Sequence, residues 1–306
     1  MILHIAAPDF SLQHTLESGQ AFRWKPSAYG GYYGFIPVRS DDRGQGGVSR
    51  AVRVVQECDQ LSVHTVDASV TDEHLRRYFD LDADLGAILS SVDVDGQIHD
   101  AIARFRGMRV LRQDPWECLA AFICSSFNNI KRIEGMIERL SDTFGEPASF
   151  NGYRGCTFPS ASALAVVSER RLRTLGLGFR AKYLRAAARM VAAGGLPFDT
   201  LRRVDYVAAK SALMQCDGVG EKVADCIALF ALQKYEAFPV DVWVARSMRY
   251  YFKTARVTPK RIGEFARTHF GSYAGYAQQY LYHYARTARP AGRASQVVSQ
   301  PSSPTH

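Results

Sequence analysis

No two of the six cysteines (Cys58, Cys118, Cys124, Cys156, Cys216 and Cys226) stand at CxxC spacing, and none clusters with histidine. Zinc and iron–sulfur frameworks need such sets, so no metal site is expected from them. The cysteines in apolar runs read as reduced core residues. No apolar run approaches the roughly 20 residues of a membrane-spanning helix. A charged N-terminus followed by a long apolar stretch is missing too, which argues against a secretory signal. No internal repeat is found. The expectation is an intracellular, soluble protein, monomeric and without a membrane partner. Acidic residues are the minority charge, with 30 Asp and Glu against 38 Lys and Arg and a net charge of +8. Such a surplus suits a polyanionic partner, because bound Lys and Arg release counterions from nucleic-acid phosphates. A basic enzyme with no such partner is the alternative that charge alone leaves open.

What is present divides the chain in two. At 306 residues and 47% hydrophobic, it can bury the cores of two domains. Up to about residue 70, short aromatic and β-branched runs alternate with turn residues: Gln20–Trp24, Gly31–Ile36, Ala51–Val55 and Leu61–Val66. The polar, Gly-rich stretch from Ser40 to Ser49 reads as a loop between strands. This spacing predicts an antiparallel sheet. Beyond residue 71 the pattern is helical. Thr71 and Asp114 read as N-caps, the latter followed by Pro115 in the first turn. Residues 129–144 place Ile130, Ile133, Met136, Ile137, Leu140 and Phe144 at helical spacing. Further helices are expected over 169–175, 180–193, 205–216, 241–252, 259–270 and 273–286. The fold class is α+β: an N-terminal antiparallel β domain with short helices over 1–105, then a helical domain over 106–288. Residues 289–306 read as a disordered tail.

The most informative stretch is 213–241, LMQCDGVGEKVADCIALFALQKYEAFPVD. A helix end, a Gly218-Val219-Gly220 turn and a second helix form a hairpin. Its backbone N–H groups would point outward together at a helix N-terminus, which suits phosphate. A tight helix–helix connection explains the glycines equally well. Lys222 falls in the first turn of the second helix. There the helix dipole and the apolar neighbours Val219, Val223 and Cys226 favour a neutral amine, the form a nucleophile needs; an ordinary surface lysine is the plain alternative. Asp241, after Pro239, reads as an N-cap and also as a carboxylate able to stabilise a cationic sugar transition state.

GVGEKVADC and FPVDV resemble the helix-hairpin-helix (HhH-GPD) DNA glycosylases. With SGQAFRW at 18–24, RQDPWECLAAFICSSFNNIKRI at 112–133, LGLGFRAKY at 175–183 and GSYAGYAQQYLY at 271–282, the chain is similar to the 8-oxoguanine DNA glycosylase/AP lyases of that superfamily from about residue 9 to 285. The resemblance implies base excision repair on double-stranded DNA containing 8-oxoguanine, with the damaged base flipped from the stack. It implies Lys222 as nucleophile and Asp241 as its carboxylate partner. It implies a damaged-base pocket of Gly19, Cys226, Gln278 and Tyr282, with the Gly19 carbonyl accepting from N7–H. Around the opposite base it implies Phe127, Asn128, Arg132, Phe179 and Arg180, and along the DNA backbone Gly218, Gly220, Val223 and Trp243. No cofactor is implied; a structural monovalent or calcium ion at a hairpin carbonyl is a further expectation from related hairpins.

Two departures from the family pattern lie on the face toward the opposite strand and two beside the DNA backbone. Phe127 stands where an asparagine fills the vacated gap, Phe179 where a tyrosine wedge is common, and Trp243 where a histidine often meets phosphate. Asp217 replaces a proline beside the hairpin. A phenylalanine can wedge a base step but cannot hydrogen-bond cytosine. Two other readings stay open: a glycosylase for another damaged base, and a non-catalytic hairpin module that only binds DNA.

Overall fold

The structure, a computed structural model, describes residues 1–38, 48–150, 153–252 and 257–287. The expected tail, and all but the end of the expected Ser40–Ser49 loop, lie outside these residues. Five strands, β1 (Ile2–Ala6), β2 (Lys25–Pro26), β3 (Tyr32–Val38), β4 (Val48–Glu57) and β5 (Gln60–His64), form an antiparallel sheet in the order β1-β5-β4-β3-β2. The period-2 pattern sets which face is buried. Val52 and Val54 on β4 and Leu61 and Val63 on β5 are fully buried, with Val54 opposite Val63. They pack with Leu12 and Leu16 of the Leu12–Glu17 helix and Leu75 and Phe79 of the Asp72–Phe79 helix.

One expected strand is absent. Gln20–Trp24 is irregular, because Gln20 is drawn inward instead of pairing with a neighbour. Its buried amide donates to Thr15 O, Ser18 Oγ and Arg109 O and accepts from Leu111 N at 2.8 Å. Four side-chain bonds thus substitute for ladder bonds and tie this segment to the helical part. β1 and β2 take the places at the sheet edges that the sequence pattern did not reveal.

The second core takes in Phe22 and runs from Leu85 to Leu281. Two helices lie at its centre, Pro115–Ser125 and Glu221–Leu232, buried on nearly every side; Phe122 and Phe230 stack between them at 5.5 Å. The expected caps form: Thr71 and Asp114 each accept from a backbone N–H of the first turn, and Asn129, which the sequence reading had not assigned as a cap, does the same. The helix stopped by Gly145 leads into a hairpin, β6 (Pro147–Phe150) and β7 (Tyr153–Cys156), where Tyr153 stacks on Tyr33 of the sheet at 4.7 Å. The run expected over 169–175 is a short helix, Glu169–Leu172, that opens into a π-turn containing Gly176 at φ +85°. The run expected over 241–252 is a helix, Val242–Ser247, tightening into a 3₁₀ turn at Met248–Tyr250.

The last helix, Ala274–Thr287, works on three faces. Tyr276 and Tyr280, four apart, face the core and are fully buried, with hydroxyls donating to Asp80 Oδ2 and Met108 O. Gln278 and Tyr282, also four apart, face a cleft. Gln279, His283 and Arg286 form the third face; Gln279 and Arg286 bond the backbone at Ser18 and Glu17. Tyr282 sits about 200° around the helix from Tyr280, so the three tyrosines do not share one face.

Candidate active site

A cleft of about 1060 Å³ opens between the hairpin, the end of the Pro115–Ser125 helix, the Gly19 segment and the last helix. It takes in every expected site residue except Arg132, Phe179 and Arg180.

At one wall the hairpin joins the helices Tyr206–Leu213 and Glu221–Leu232. Gly218 has φ +85° and lies against the Tyr183 ring; a Cβ there would fall 2.5 Å from Tyr183 Cγ. Both the turn and the close approach therefore require glycine. Gly220 caps the second helix without a side chain. The first N–H groups of that helix, from Glu221 to Val223, have no acceptor among the described residues. They form an open donor set at an exposed helix N-terminus.

Lys222 reaches from this turn into the cleft. Its Nζ lies 3.1 Å from Ser125 Oγ and 5.0 Å from the centre of the Phe122 ring. One helical turn on, burial pushes the Cys226 thiol up to about 12, against the pull of the Lys222 charge, so it stays a neutral, polarisable surface. Asp241 caps the Val242–Ser247 helix: its Oδ1 accepts from Trp243 N at 2.9 Å and Val244 N at 2.8 Å. Two backbone donors hold the carboxylate in one orientation.

Across the cleft, Gly19 sits at φ +79°. A Cβ at this position would lie 3.0 Å from Ile130 Cδ1, 3.2 Å from the Tyr282 hydroxyl and 3.3 Å from an Arg286 guanidinium nitrogen. Gln278 is 4% exposed, yet its Oε1 has no hydrogen-bond partner among the described residues. An acceptor left unmade in a buried site is costly unless a ligand completes it. Burial raises the Tyr282 phenol to about 12, which keeps it protonated. Its ring, with Arg286 5.5 Å from its centre, forms a flat wall on the same helix as Gln278.

The rim carries the residues expected near the opposite strand. Phe127 is 95% exposed, with φ +50°. Asn128 turns inward, donating to Cys124 O at 3.2 Å. Phe179 is half exposed, and Arg132 projects from the exposed side of the Ile130–Phe144 helix. Arg180 lies just beneath this rim and is buried. Its guanidinium donates to the carbonyls of Ser126, Phe127 and Leu177, and its cation lies 4.5 Å from the Phe179 ring. It holds the Phe127 turn from beneath.

Similarity to known proteins agrees with this geometry. Residues 2–119 match the family model of the 8-oxoguanine DNA glycosylase N-terminal domain, and residues 120–269 that of the HhH-GPD superfamily base excision DNA repair proteins. The N-glycosylase/DNA lyase OGG1 of Arabidopsis thaliana is 34% identical over 292 residues, spanning 92% of this chain and 78% of that protein. The chain belongs to the 8-oxoguanine DNA glycosylase family. A probable N-glycosylase/DNA lyase of Methanothermobacter thermautotrophicus is 31% identical, covering 93% of this chain and 96% of its own length. Among solved structures, the Clostridium acetobutylicum 8-oxoguanine glycosylase/lyase bound to DNA with cytosine opposite 8-oxoG superposes with a TM-score of 0.84 at 32% identity, over 94% of this chain and 97% of that one.

Among the cleft residues that the sequence reading did not assign to the site are Ser125, Gln279 and Arg286. Ser125 looked like one of two serines ending a helix. Gln279 was hidden beside Gln278, and Arg286 in the basic end of the last helix. The signal available was spacing: Gln279 and Arg286 are seven apart, on one helix face.

Proposed function

We propose that this protein excises 8-oxoguanine from duplex DNA and then nicks the strand at the resulting site, as a bifunctional glycosylase/lyase of base excision repair. The observation that carries the reading is the buried Gln278 Oε1, unpartnered among the described residues, in the same cleft as Lys222 and Gly19, whose carbonyl also accepts from none of those residues. A flipped base would complete that site.

In this reading the open N–H groups of Glu221–Val223, with Gly218 and Gly220, hold a DNA phosphate; Trp243 lies alongside. Phe127 enters the gap left by the flipped nucleotide, with Asn128, Arg132, Phe179 and Arg180 around the orphaned base. Cys226 and Tyr282 sandwich the damaged base and Gln278 binds its Watson–Crick edge. The Gly19 carbonyl accepts from N7–H. Guanine presents an acceptor at N7, so the same carbonyl repels it.

Lys222 Nζ then forms a bond to C1′ as the C1′–N9 bond breaks and the base departs with the electron pair, taking up a proton. Asp241 offsets positive charge developing on the sugar. The ring-opened adduct is a Schiff base. Loss of a C2′ proton expels the 3′ phosphate by β-elimination, and hydrolysis frees Lys222. These steps use no cofactor. A monovalent or calcium ion at the hairpin would meet backbone carbonyls, since no three His, Cys, Asp or Glu side chains cluster for a metal among the described residues. Among those residues, too, no helix is long and apolar enough to cross a membrane. An intracellular, DNA-associated location follows from the substrate.

The test is borohydride trapping with a panel of lesion duplexes. Wild-type protein should be trapped on 8-oxoguanine DNA, and Lys222→Gln should be neither trapped nor active. Cleavage of lesion DNA by Lys222→Gln would overturn the assignment of the nucleophile.

A further inference from the structure

Four consecutive carbonyls, of Glu17, Ser18, Gly19 and Gln20, follow the end of the Leu12–Glu17 helix, and three are occupied by side chains. Arg286 donates to Glu17 O, Gln279 Nε2 to Ser18 O at 3.1 Å and Gln113 Nε2 to Gln20 O at 2.7 Å. Gly19 O alone accepts from nothing among the described residues. We propose that Gln279 and Arg286 are positioning residues for lesion specificity: they aim the Gly19 carbonyl at the flipped base. The inference rests on the reading of Gly19 given above and adds how that carbonyl is held.

The physical need is clear from the backbone. Residues 18–24 lie in neither a helix nor the sheet, so no ladder fixes the peptide planes there. The last carbonyls of a helix are orphaned and ordinarily turn to water. Here two side chains from one helix face capture them, seven residues apart. Ser18 is fully buried and Gln279 is 2% exposed, so the Ser18–Gln279 bond is dry and its loss leaves a buried carbonyl unmet. Arg286 also accepts restraint of its own, with a guanidinium nitrogen 3.2 Å from His283 Nδ1. The Ala274–Thr287 helix therefore carries both Gln278 and Tyr282, which face the base, and the two donors that orient Gly19. Base edge and discriminating carbonyl are referenced to the same rigid element. A binding group must hold its position to roughly 0.5 Å to keep its selectivity.

The test uses Gln279→Met and Arg286→Met in the full chain, with two readouts. One is single-turnover excision of 8-oxoguanine opposite cytosine. The other is borohydride trapping on the same duplex with an abasic site in place of the lesion. An abasic site has no N7–H to meet Gly19, but it still requires Lys222, the hairpin and a folded protein. Excision should fall roughly tenfold while trapping stays within about twofold of wild type, the scale of one misplaced hydrogen bond. Arg286→Lys, which keeps a donor, should recover most of the excision. Unchanged excision in both Met variants overturns the inference, as does abasic-site trapping that falls in parallel with excision, the mark of general structural damage. Wild-type protein that is trapped on abasic DNA but leaves 8-oxoguanine in place would instead overturn the base-pocket reading on which the inference stands.

Discussion

Lys222 Nζ lies 3.1 Å from Ser125 Oγ, and the Ser125 hydroxyl in turn donates to Phe122 O at 2.7 Å. A hydroxyl has one proton, and here it is committed to a carbonyl. Toward Lys222, Ser125 can therefore only accept, so it fixes one N–H of the lysine and with it the direction of Nζ. Ser125→Ala should slow borohydride-trapped adduct formation by about tenfold, the value of one hydrogen bond that aligns the attacking amine. DNA affinity, measured by fluorescence anisotropy, should not change, and Ser125→Thr should retain most of the rate. An equal loss of affinity and rate in Ser125→Ala would assign the residue to binding instead.

Gln278 tests the balance between stability and function. Its Oε1 is buried and meets no donor among the described residues, and a buried acceptor left unmade is costly. Gln278→Leu removes that acceptor and adds apolar surface in a site lined by Cys226 and Phe230. The variant should unfold in urea with a stability higher by about 1 kcal/mol. It should lose 8-oxoguanine excision while still being trapped on abasic-site DNA. A Gln278→Leu protein that is less stable than wild type would mean the amide already has partners in the free enzyme.

The sequence made the hairpin and the caps legible because they depend on near neighbours. The Gly218-Val219-Gly220 turn, the Asp114–Pro115 pair and the Thr71 cap are each set within four residues. Long-range bonds were hidden. Gln20 looked like a strand residue because its partners, Arg109 and Leu111, lie some ninety positions away. The bonds of Arg180 were likewise hidden, because the carbonyls it binds belong to a turn some fifty positions away. Tyr276, Tyr280 and Tyr282 looked alike by composition. Only the helix's placement shows that two of them hold the core and one faces the cleft. Asp80 is the same lesson at full scale: buried in a left-handed C-cap, it accepts from Arg112 at 2.5 Å, Tyr235 at 2.9 Å and Tyr276 at 3.1 Å, joining the sheet's helix to the second core.

Phe127 bears on selectivity for the opposite base. A phenylalanine at φ +50° sits in left-handed space, at a cost of roughly 1–2 kcal/mol, and Arg180 supports it through the Ser126 and Phe127 carbonyls. Its ring offers apolar area to an intruded base step and no hydrogen bond to cytosine. Excision of 8-oxoguanine opposite C, A, G and T should therefore differ little, and Phe127→Asn should sharpen the preference for C. A strong preference for C that survives intact in Phe127→Ala would sink this account.

His283 gives the fold a pH dependence of known sign. It is 4% exposed, 4.3 Å centre to centre from the Phe105 ring, with Arg286, His14 and Arg104 as its charged neighbours. Burial first, then those cationic neighbours, lowers it from 6.5 to about 4. The folded state thus binds fewer protons than the unfolded chain between these values. Stability should be full above pH 6.5 and fall as pH drops toward 4, by up to about 1.4 kcal/mol per unit of pH, with no further loss from this group below that point. Carboxylates add losses of the same sign, so the comparison must be with His283→Phe, which keeps a ring against Phe105 and cannot titrate. Urea unfolding at pH 7.5, 6, 5 and 4.5 should give a steeper decline for wild type than for the variant; parallel curves would show that His283 takes up its proton without opposing the fold.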